Sequence, residues 1–195
     1  IYGNLNHGIY LATSNDAPTL TGNTLSGQYY AIETWGTDAT ISGNAVGQHT
    51  YRGIYVRGAR SVVEGNEVAI ISVGNQGVGI DASFTGAAGD RVLVQNNVVH
   101  DNNAAGLSVS GQVLATGNEI YNHAASWGVG VYVSSGAEFR ANRVHDNNTG
   151  VRNGSGLVVD NRIDHNIGVG LSLDATGRGV RNRIYENGIG IRTGL

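Results

Sequence analysis

The chain has 195 residues, 40% of them hydrophobic, which is enough to form the core of one domain. Only 14% of the residues are charged and the formal net charge is −3, so the sequence offers no basic surface for nucleic acid or anionic lipid. Lysine and cysteine are absent, which excludes lysine bases, disulfides and thiolate metal sites. No apolar stretch approaches the ~20 residues of a membrane helix.

A unit of about 21 residues repeats along the whole chain. The typical copy contains a glycine, then two apolar residues separated by one residue, and later an asparagine followed at the second place by valine or isoleucine. The repeat asparagines are Asn4, Asn23, Asn44, Asn66, Asn97, Asn118, Asn142, Asn161 and Asn182. Their intervals are 19 to 24 residues, except for one of 31 residues between Asn66 and Asn97.

Within one copy the apolar residues alternate, which predicts short strands. In the third copy these strands are residues 53–56, 62–64 and a segment that starts at Glu67. Every copy has the same order, so equivalent strands stack in parallel on one another. The sequence therefore predicts an all-β protein, a right-handed parallel β-helix of about nine turns with three parallel sheets.

The repeat asparagines have a structural explanation in this fold. Asparagine tolerates the left-handed conformation that a sharp bend requires, and stacked side-chain amides can hydrogen-bond along the rod. We therefore predict a structural ladder of Asn23, Asn44, Asn66, Asn97, Asn118, Asn142, Asn161 and Asn182. A second, partial column lies five residues further along, at Asn102, Asn147, Asn166 and Asn187.

Four segments, residues 53–56, 97–102, 142–147 and 182–187, resemble the right-handed parallel β-helix or pectin-lyase-like superfamily, and in particular its generic class of secreted and surface repeat proteins. The resemblance covers the whole chain. It implies an extracellular or cell-surface location. Because members include polysaccharide lyases, hydrolases, epimerases, phage tailspikes and adhesins, it does not decide the activity.

Catalytic motifs of that superfamily are not found in this sequence. There is no Asp-Asp pair and no lysine, and the only proline, Pro18, does not stand in an Asp-Pro-His motif. Arg57 and Asp81 echo the arginine and aspartates of pectate lyases, but two residues do not make the motif.

The outward positions of the early first strands predict a glycan-binding face. Aromatic rings can stack on sugars, and carboxylates and arginines can act beside them. The predicted ligand-binding residues are Tyr10, Tyr30, Trp35, Arg52 and Tyr55. The catalytic candidates are Glu33 and Asp81 as acid or base and Arg57 as the partner of a uronate carboxylate. Alternatively, tyrosine and tryptophan simply suit exposed strands.

The alignment of the first strands places Val78 and Ile80 inside, with Asp81 in a second outward column beside Trp35 and Arg57. A loop at residues 83–90 is then expected to project beside Asp81 and either to wall the groove or to be a tolerated insertion.

Two His-Asp pairs, His100 with Asp101 and His145 with Asp146, are the weak candidates for metal ligands. They are two turns apart, roughly 10 Å in this fold, which is too far to share one ion. Solvated bend residues explain them better, so we predict no metal and no cofactor.

Two functions are compatible with the sequence. The favoured one is a noncatalytic structural or adhesive segment of a secreted or surface protein or filament, with a polysaccharide as the candidate ligand. The alternative is a polysaccharide-active enzyme, a lyase, hydrolase or epimerase-like protein, that uses the first-strand groove.

Residues 1–195 are expected to form one solenoid domain without caps at its ends. It would belong to a longer β-helix or stack end to end on further copies. Neither nucleic acid nor membrane insertion is expected.

Overall fold

In the computed structural model, residues 1–14, 16–69, 77–123 and 128–194 are described, and they form a parallel β-helix. Each complete turn supplies one strand to each of three sheets, and apart from the end strands every strand pairs in parallel with its equivalents in the turns before and after. The predicted right-handed β-helix with three parallel sheets is confirmed. The first sheet has nine strands and the other two have eight each, which corresponds to about eight complete turns.

The first sheet consists of His7–Leu11, Tyr30–Thr34, Arg52–Val56, Val78–Phe84, Ala105–Gly111, Val129–Ser134, Thr149–Asn153, Val169–Leu173 and Ile189–Thr193. The second consists of Thr19–Thr21, Thr40–Ser42, Val62–Glu64, Val92–Gln95, Val113–Thr116, Glu138–Arg140, Leu157–Val159 and Arg178–Val180. The third consists of Thr24–Ser26, Ala45–Gly47, Glu67–Ala69, Val98–His100, Glu119–Tyr121, Arg143–His145, Arg162–Asp164 and Arg183–Tyr185. A short 3-10 helix, Ala88–Asp90, lies between the first and second sheets.

The core is a thin apolar column inside the coil. In the first sheet Ile32, Ile54, Ile80 and Leu107 pair with one another on successive turns, and all four are completely buried. Away from the two ends of the coil, the three-residue strands of the other sheets bury their central residue, as Val63 and Val68 do. Alternation along each strand thus places the apolar residues inside and leaves the outward columns free for function.

The predicted asparagine ladder runs along the corner between the second and third sheets. Asn97 shows the pattern: its backbone N–H and its Nδ2 both donate to Oδ1 of Asn118, at 3.0 and 2.9 Å. Asn66 donates to Asn97 in the same way, at 3.0 and 2.9 Å. The series extends from Asn23 to Asn182, and its members from Asn44 to Asn161 are at least 97% buried.

The conformational reason predicted for these asparagines is wrong. The residue with positive φ is the one immediately before the ladder asparagine, not the asparagine itself. These residues are Gly22, Gly43, Gly65, Asn96, Gly117, Ala141, Asp160 and Arg181. The backbone turns at the preceding residue, so the ladder asparagine is selected for its inward amide and its hydrogen bonds.

Asn97→Ala should lower the free energy of unfolding by about 3 kcal/mol, because it leaves the buried N–H groups of Asn66 without an acceptor. Asn23→Ala is the matched control at the partly exposed end of the ladder and should cost about 1 kcal/mol. Urea denaturation of both variants measures the difference. Equal losses would contradict a cooperative buried ladder.

Candidate functional site

The candidate site is the outward face of the first sheet in the first four turns. Along one column Tyr10 pairs with Glu33, Glu33 with Tyr55, and Tyr55 with Asp81. The predicted position of Asp81 beside Trp35 and Arg57 is therefore wrong.

The reason is the register of the fourth first-sheet strand. Ile80 pairs with Ile54 and Ala82 pairs with Val56, both in the core, so Asp81 between them points outward next to Tyr55. Ser83 follows in the column that Asp81 was predicted to occupy.

An aromatic cluster covers this face and its edge toward the third sheet. At its centre the Tyr30 ring stacks on His7 with centroids 5.0 Å apart, and it contacts Tyr51 and Tyr55 at 5.4 and 5.9 Å. Burial raises the pKa of the Tyr30 hydroxyl. Tyr51 also stacks on Tyr29, at 4.9 Å. The cluster is thus one contiguous surface in which each turn contributes rings to its neighbour.

Glu33 is almost completely buried in this face, with 8% of its surface exposed. Its Oε1 accepts a hydrogen bond from the Trp35 indole N–H at 2.7 Å. Its Oε2 lies 2.6 Å from Nε2 of His7. Both carboxylate oxygens are therefore engaged, one by the tryptophan that directly follows the strand of Glu33 and one by the histidine of the turn before.

Asp81 has a different partner. Arg52 Nε donates to Asp81 Oδ2 at 2.5 Å, and the Arg52 guanidinium lies 4.2 Å from the Tyr51 ring centroid and 4.5 Å from that of Tyr55. Asp81 is 8% exposed, so this ion pair is largely removed from water. Arg52 fills the space between the tyrosines with its own cation, which fixes their rings.

Unlike Arg52, the arginine Arg57 of this face has no carboxylate partner among the described residues. Its guanidinium carbon lies 4.6 Å from the Tyr55 ring centroid, and its buried Nε has no hydrogen-bond partner in the described part of the chain. It lines an open pocket of about 240 Å³ whose other walls are Trp35, Ser83, Phe84 and Thr85. A cation, two aromatic rings and two hydroxyls thus surround a space open to solvent.

The 83–90 segment contributes to this pocket. Ser83 and Phe84 belong to the first-sheet strand, and Thr85 begins the loop. The far end of the loop is held by Asp90, which pairs with Arg60 at 2.9 Å, and Arg60 also pairs with Asp38 at 2.7 Å. The hydrogen bond from Arg60 holds the pKa of Asp38 below its usual value. The loop is thereby anchored beside the groove.

The structure brings the five predicted ligand-binding residues onto this one face. It does not bring the three catalytic candidates together: among the described residues no hydrogen bond joins any two of Glu33, Arg57 and Asp81. Their roles stay predictions. Sequence reasoning missed His7, Tyr29 and Tyr51, which complete the aromatic cluster. The signal was present, because Tyr29-Tyr30 and Tyr51-Arg52 occupy equivalent positions of successive copies.

The two His-Asp pairs lie on the third sheet with Tyr121 between them. The Tyr121 ring stacks on His100 at 5.0 Å and on His145 at 5.2 Å. Each histidine Nδ1 faces its own aspartate, at 2.5 Å for Asp101 and 2.6 Å for Asp146. Within the described ranges no group of three or more such side chains is arranged to hold a metal ion.

Asp81→Asn should lower the free energy of unfolding by about 2 kcal/mol, because it leaves the Arg52 cation in a poorly hydrated position without a counter-charge. Asp38→Asn removes a carboxylate from a solvent-exposed pair and should have a much smaller effect. Urea denaturation at neutral pH compares the two variants. A loss for Asp38→Asn as large as that for Asp81→Asn would contradict this assignment.

Comparison with known proteins identifies the family. The family model described as the right-handed beta helix region matches residues 1–133 and 89–194, which together span almost the whole chain. The chain belongs to this family. The comparison with curated protein sequences found no match for this chain.

Two solved structures of the periplasmic alginate epimerase AlgG are similar to this β-helix. A mutant of AlgG matches with a TM-score of 0.70 and the other AlgG structure with 0.67. Both are 16% identical in sequence, and each match covers 91% of this chain. The chain spans about half the length of these structures, since 50% of each AlgG chain is covered. At this identity the likeness shows the shared fold.

Proposed function

We propose that the first-sheet face of the early turns binds a polysaccharide. The observation that carries this proposal is the open pocket lined by Trp35 and Arg57, where a guanidinium without a carboxylate partner among the described residues lies beside aromatic surface. Trp35 is 39% exposed and Tyr10 is 55% exposed, so both rings can stack on sugar. The remaining rings of the cluster hold them in place.

Arg57 favours an acidic polysaccharide, because a guanidinium pairs well with a carboxylate. Arg52 is already neutralised by Asp81, whereas Arg57 has no carboxylate beside it among the described residues. The similarity to AlgG, an alginate epimerase, supports the same class of ligand. A uronic-acid polymer is therefore the ligand we expect.

In the favoured form of this proposal the protein is a noncatalytic structural or adhesive segment. Glu33 and Asp81 are both held by partners of the fold, on separate turns with Tyr55 between them. Because the two carboxylates are held by these partners, they favour the interpretation of this face as a binding surface.

One observation favours the alternative, a polysaccharide-active enzyme. His7 Nε2 and Glu33 Oε2 lie 2.6 Å apart on the sugar-binding face, a geometry through which a proton can move. If the protein is a lyase, hydrolase or epimerase-like enzyme, we propose this pair as its acid or base.

Binding and turnover should be measured together on neutral and uronic-acid polysaccharides. Trp35→Ala should weaken binding about tenfold or more, because truncation of an aromatic residue that acts as a binding hot spot costs about 2 kcal/mol or more. Arg57→Gln should weaken binding of the acidic polymers alone. Tyr132→Ala, in the outward column of Tyr10 and Tyr55 but outside the cluster, is the control and should bind normally.

Absence of binding to every polymer would contradict the proposed function. New reducing or unsaturated ends, or inversion of a sugar centre, would establish the enzyme if Glu33→Gln or His7→Gln abolished them. Binding without product would support the noncatalytic form.

We propose a secreted or periplasmic location, which suits polysaccharide ligands and is supported by the periplasmic AlgG. Among the described residues no helix is long and apolar enough to cross a membrane.

We also propose that residues 1–195 form one solenoid domain and that copies of it stack end to end. Ile189 is 44% exposed and Ile191 is 54% exposed, and their strand pairs on one side only among the described residues. A second copy on this edge would bury both side chains and complete its hydrogen bonds.

If copies stack on one another, sedimentation should detect association that grows with protein concentration. Ile191→Glu should abolish it by placing a charge on the contact. Ile167→Glu, at a more exposed isoleucine one turn earlier, is the control and should leave association unchanged. A monomer at all concentrations would contradict self-stacking.

A further inference from the structure

Two histidines are completely buried in the wall of the β-helix. His49 and His123 are both 0% exposed, and each stands five residues after a ladder asparagine, at the corner between the third and first sheets. The other described members of this column carry neutral amides: Gln28, Asn102, Asn147, Asn166 and Asn187. Two rungs of an otherwise amide column can therefore acquire a charge.

Both imidazoles are poorly placed for a second proton. His49 Nε2 lies 3.2 Å from the carbonyl oxygen of Val78, and among the described residues its buried Nδ1 has no acceptor for a second proton. His123 Nδ1 lies 2.9 Å from the backbone nitrogen of Asn102 and 3.0 Å from its carbonyl oxygen, so a proton on this nitrogen would displace the Asn102 N–H. Backbone hydrogen bonds to Asn102 and Val99 favour the charged form of His123, but burial of the charge opposes it more strongly.

The rings are also closely packed. A Cβ added to Gly106 would lie 2.3 Å from His123 Nε2, and one added to Gly53 would lie 2.9 Å from His49 Cε1. Glycine is thus required opposite both imidazoles. The packing does not provide room on that side for water beside the two rings.

Few charged groups face these histidines. Asp101 raises and His100 lowers the pKa of His123, and no charged group among the described residues shifts the pKa of His49. The neighbouring residues 70–76 and 124–127, which lie outside the described part, contain no ionisable residue in the sequence. Burial therefore dominates and lowers the pKa of both histidines from 6.5 to about 4.

His49 is coupled directly to the candidate site. Its ring lies against Gly53 in the strand Arg52–Val56, which carries Tyr55, and its Nε2 contacts the first residue of the strand Val78–Phe84, which carries Asp81. His123 lies in the same column several turns away, outside the aromatic cluster. We propose that protonation of His49 makes the aromatic face acid-labile, and that protonation of His123 weakens the later turns without acting on that face.

The direction of the pH effect on stability follows from the linkage between proton binding and folding. The folded state favours the neutral imidazole, whereas the unfolded chain takes up a proton near the ordinary pKa of 6.5. Stability is therefore full above pH 6.5 and is lost as the pH falls to about 4. At pH 5 each histidine should lower the folding equilibrium constant about 30-fold relative to pH 8.

The test compares urea denaturation of the full chain at pH 8 and pH 5 for the wild type, His49→Asn, His123→Asn and the double variant. Asparagine is chosen because most other described positions of this column carry it. If asparagine is not tolerated at position 49, His49→Gln replaces it, since glutamine occupies the same column at Gln28. Between pH 8 and pH 5 the folding equilibrium constant of the wild type falls. Each single variant should make this fall about 30-fold smaller, and the double variant should make it about 1,000-fold smaller. His165→Asn, at an exposed histidine paired with Asp164, should not relieve the acid loss. An acid loss in the double variant equal to that of the wild type would overturn the proposal.

The second readout is polysaccharide binding between pH 8 and pH 5, and this part rests on the proposed function. Binding by the wild type should fall at pH 5, His49→Asn should retain it, and His123→Asn should behave as the wild type. Wild-type binding that does not change with pH would overturn the coupling to the face. If no polymer binds at any pH, the proposed function fails, while the denaturation result still decides whether the two histidines destabilise the fold in acid.

Discussion

The register between successive turns is the constraint on which the rest of this structure depends. It is fixed by parallel strand pairing in three sheets and by a ladder in which each asparagine donates twice to the side-chain oxygen of the next. Both donors are buried and can be satisfied in only one alignment of the turns. A slip of one residue would leave these groups unpaired and turn the apolar core residues outward.

Because the register is fixed, equivalent positions of successive repeats lie in columns on the surface. These columns determine which of the few charged side chains can pair between adjacent turns. The carboxylates of the candidate site are paired across turns: Glu33 with His7 of the turn before, and Asp81 with Arg52 of the turn before. Outside the site, Asp38 is paired in the same way with Arg60 of a later turn. These ion pairs bind adjacent turns together and leave Arg57 as the cation of the face that is free for a ligand.

The same scaffold can carry different functions because the inward and outward positions are independent. The core and the ladder satisfy the requirements of the fold, which this chain shares with AlgG at 16% sequence identity. The register is set by the core and the ladder, so the outward residues of the first sheet can change without changing the coil. The aromatic cluster of the early turns is a local feature of this outward surface, and its ion pairs add to the contacts between adjacent turns.

The sequence by itself determined the β-helix, its three sheets and its ladder, because the 2-residue alternation and the recurring asparagine are local signals repeated in every copy. It also placed Tyr10, Trp35 and Tyr55 on the outward face. Only the tertiary structure decided the column of Asp81, since the 31-residue interval before Asn97 allows more than one alignment of that strand. It alone decided which groups hold Glu33 and Asp81, because these partners come from other turns and their choice depends on side-chain reach across the sheet.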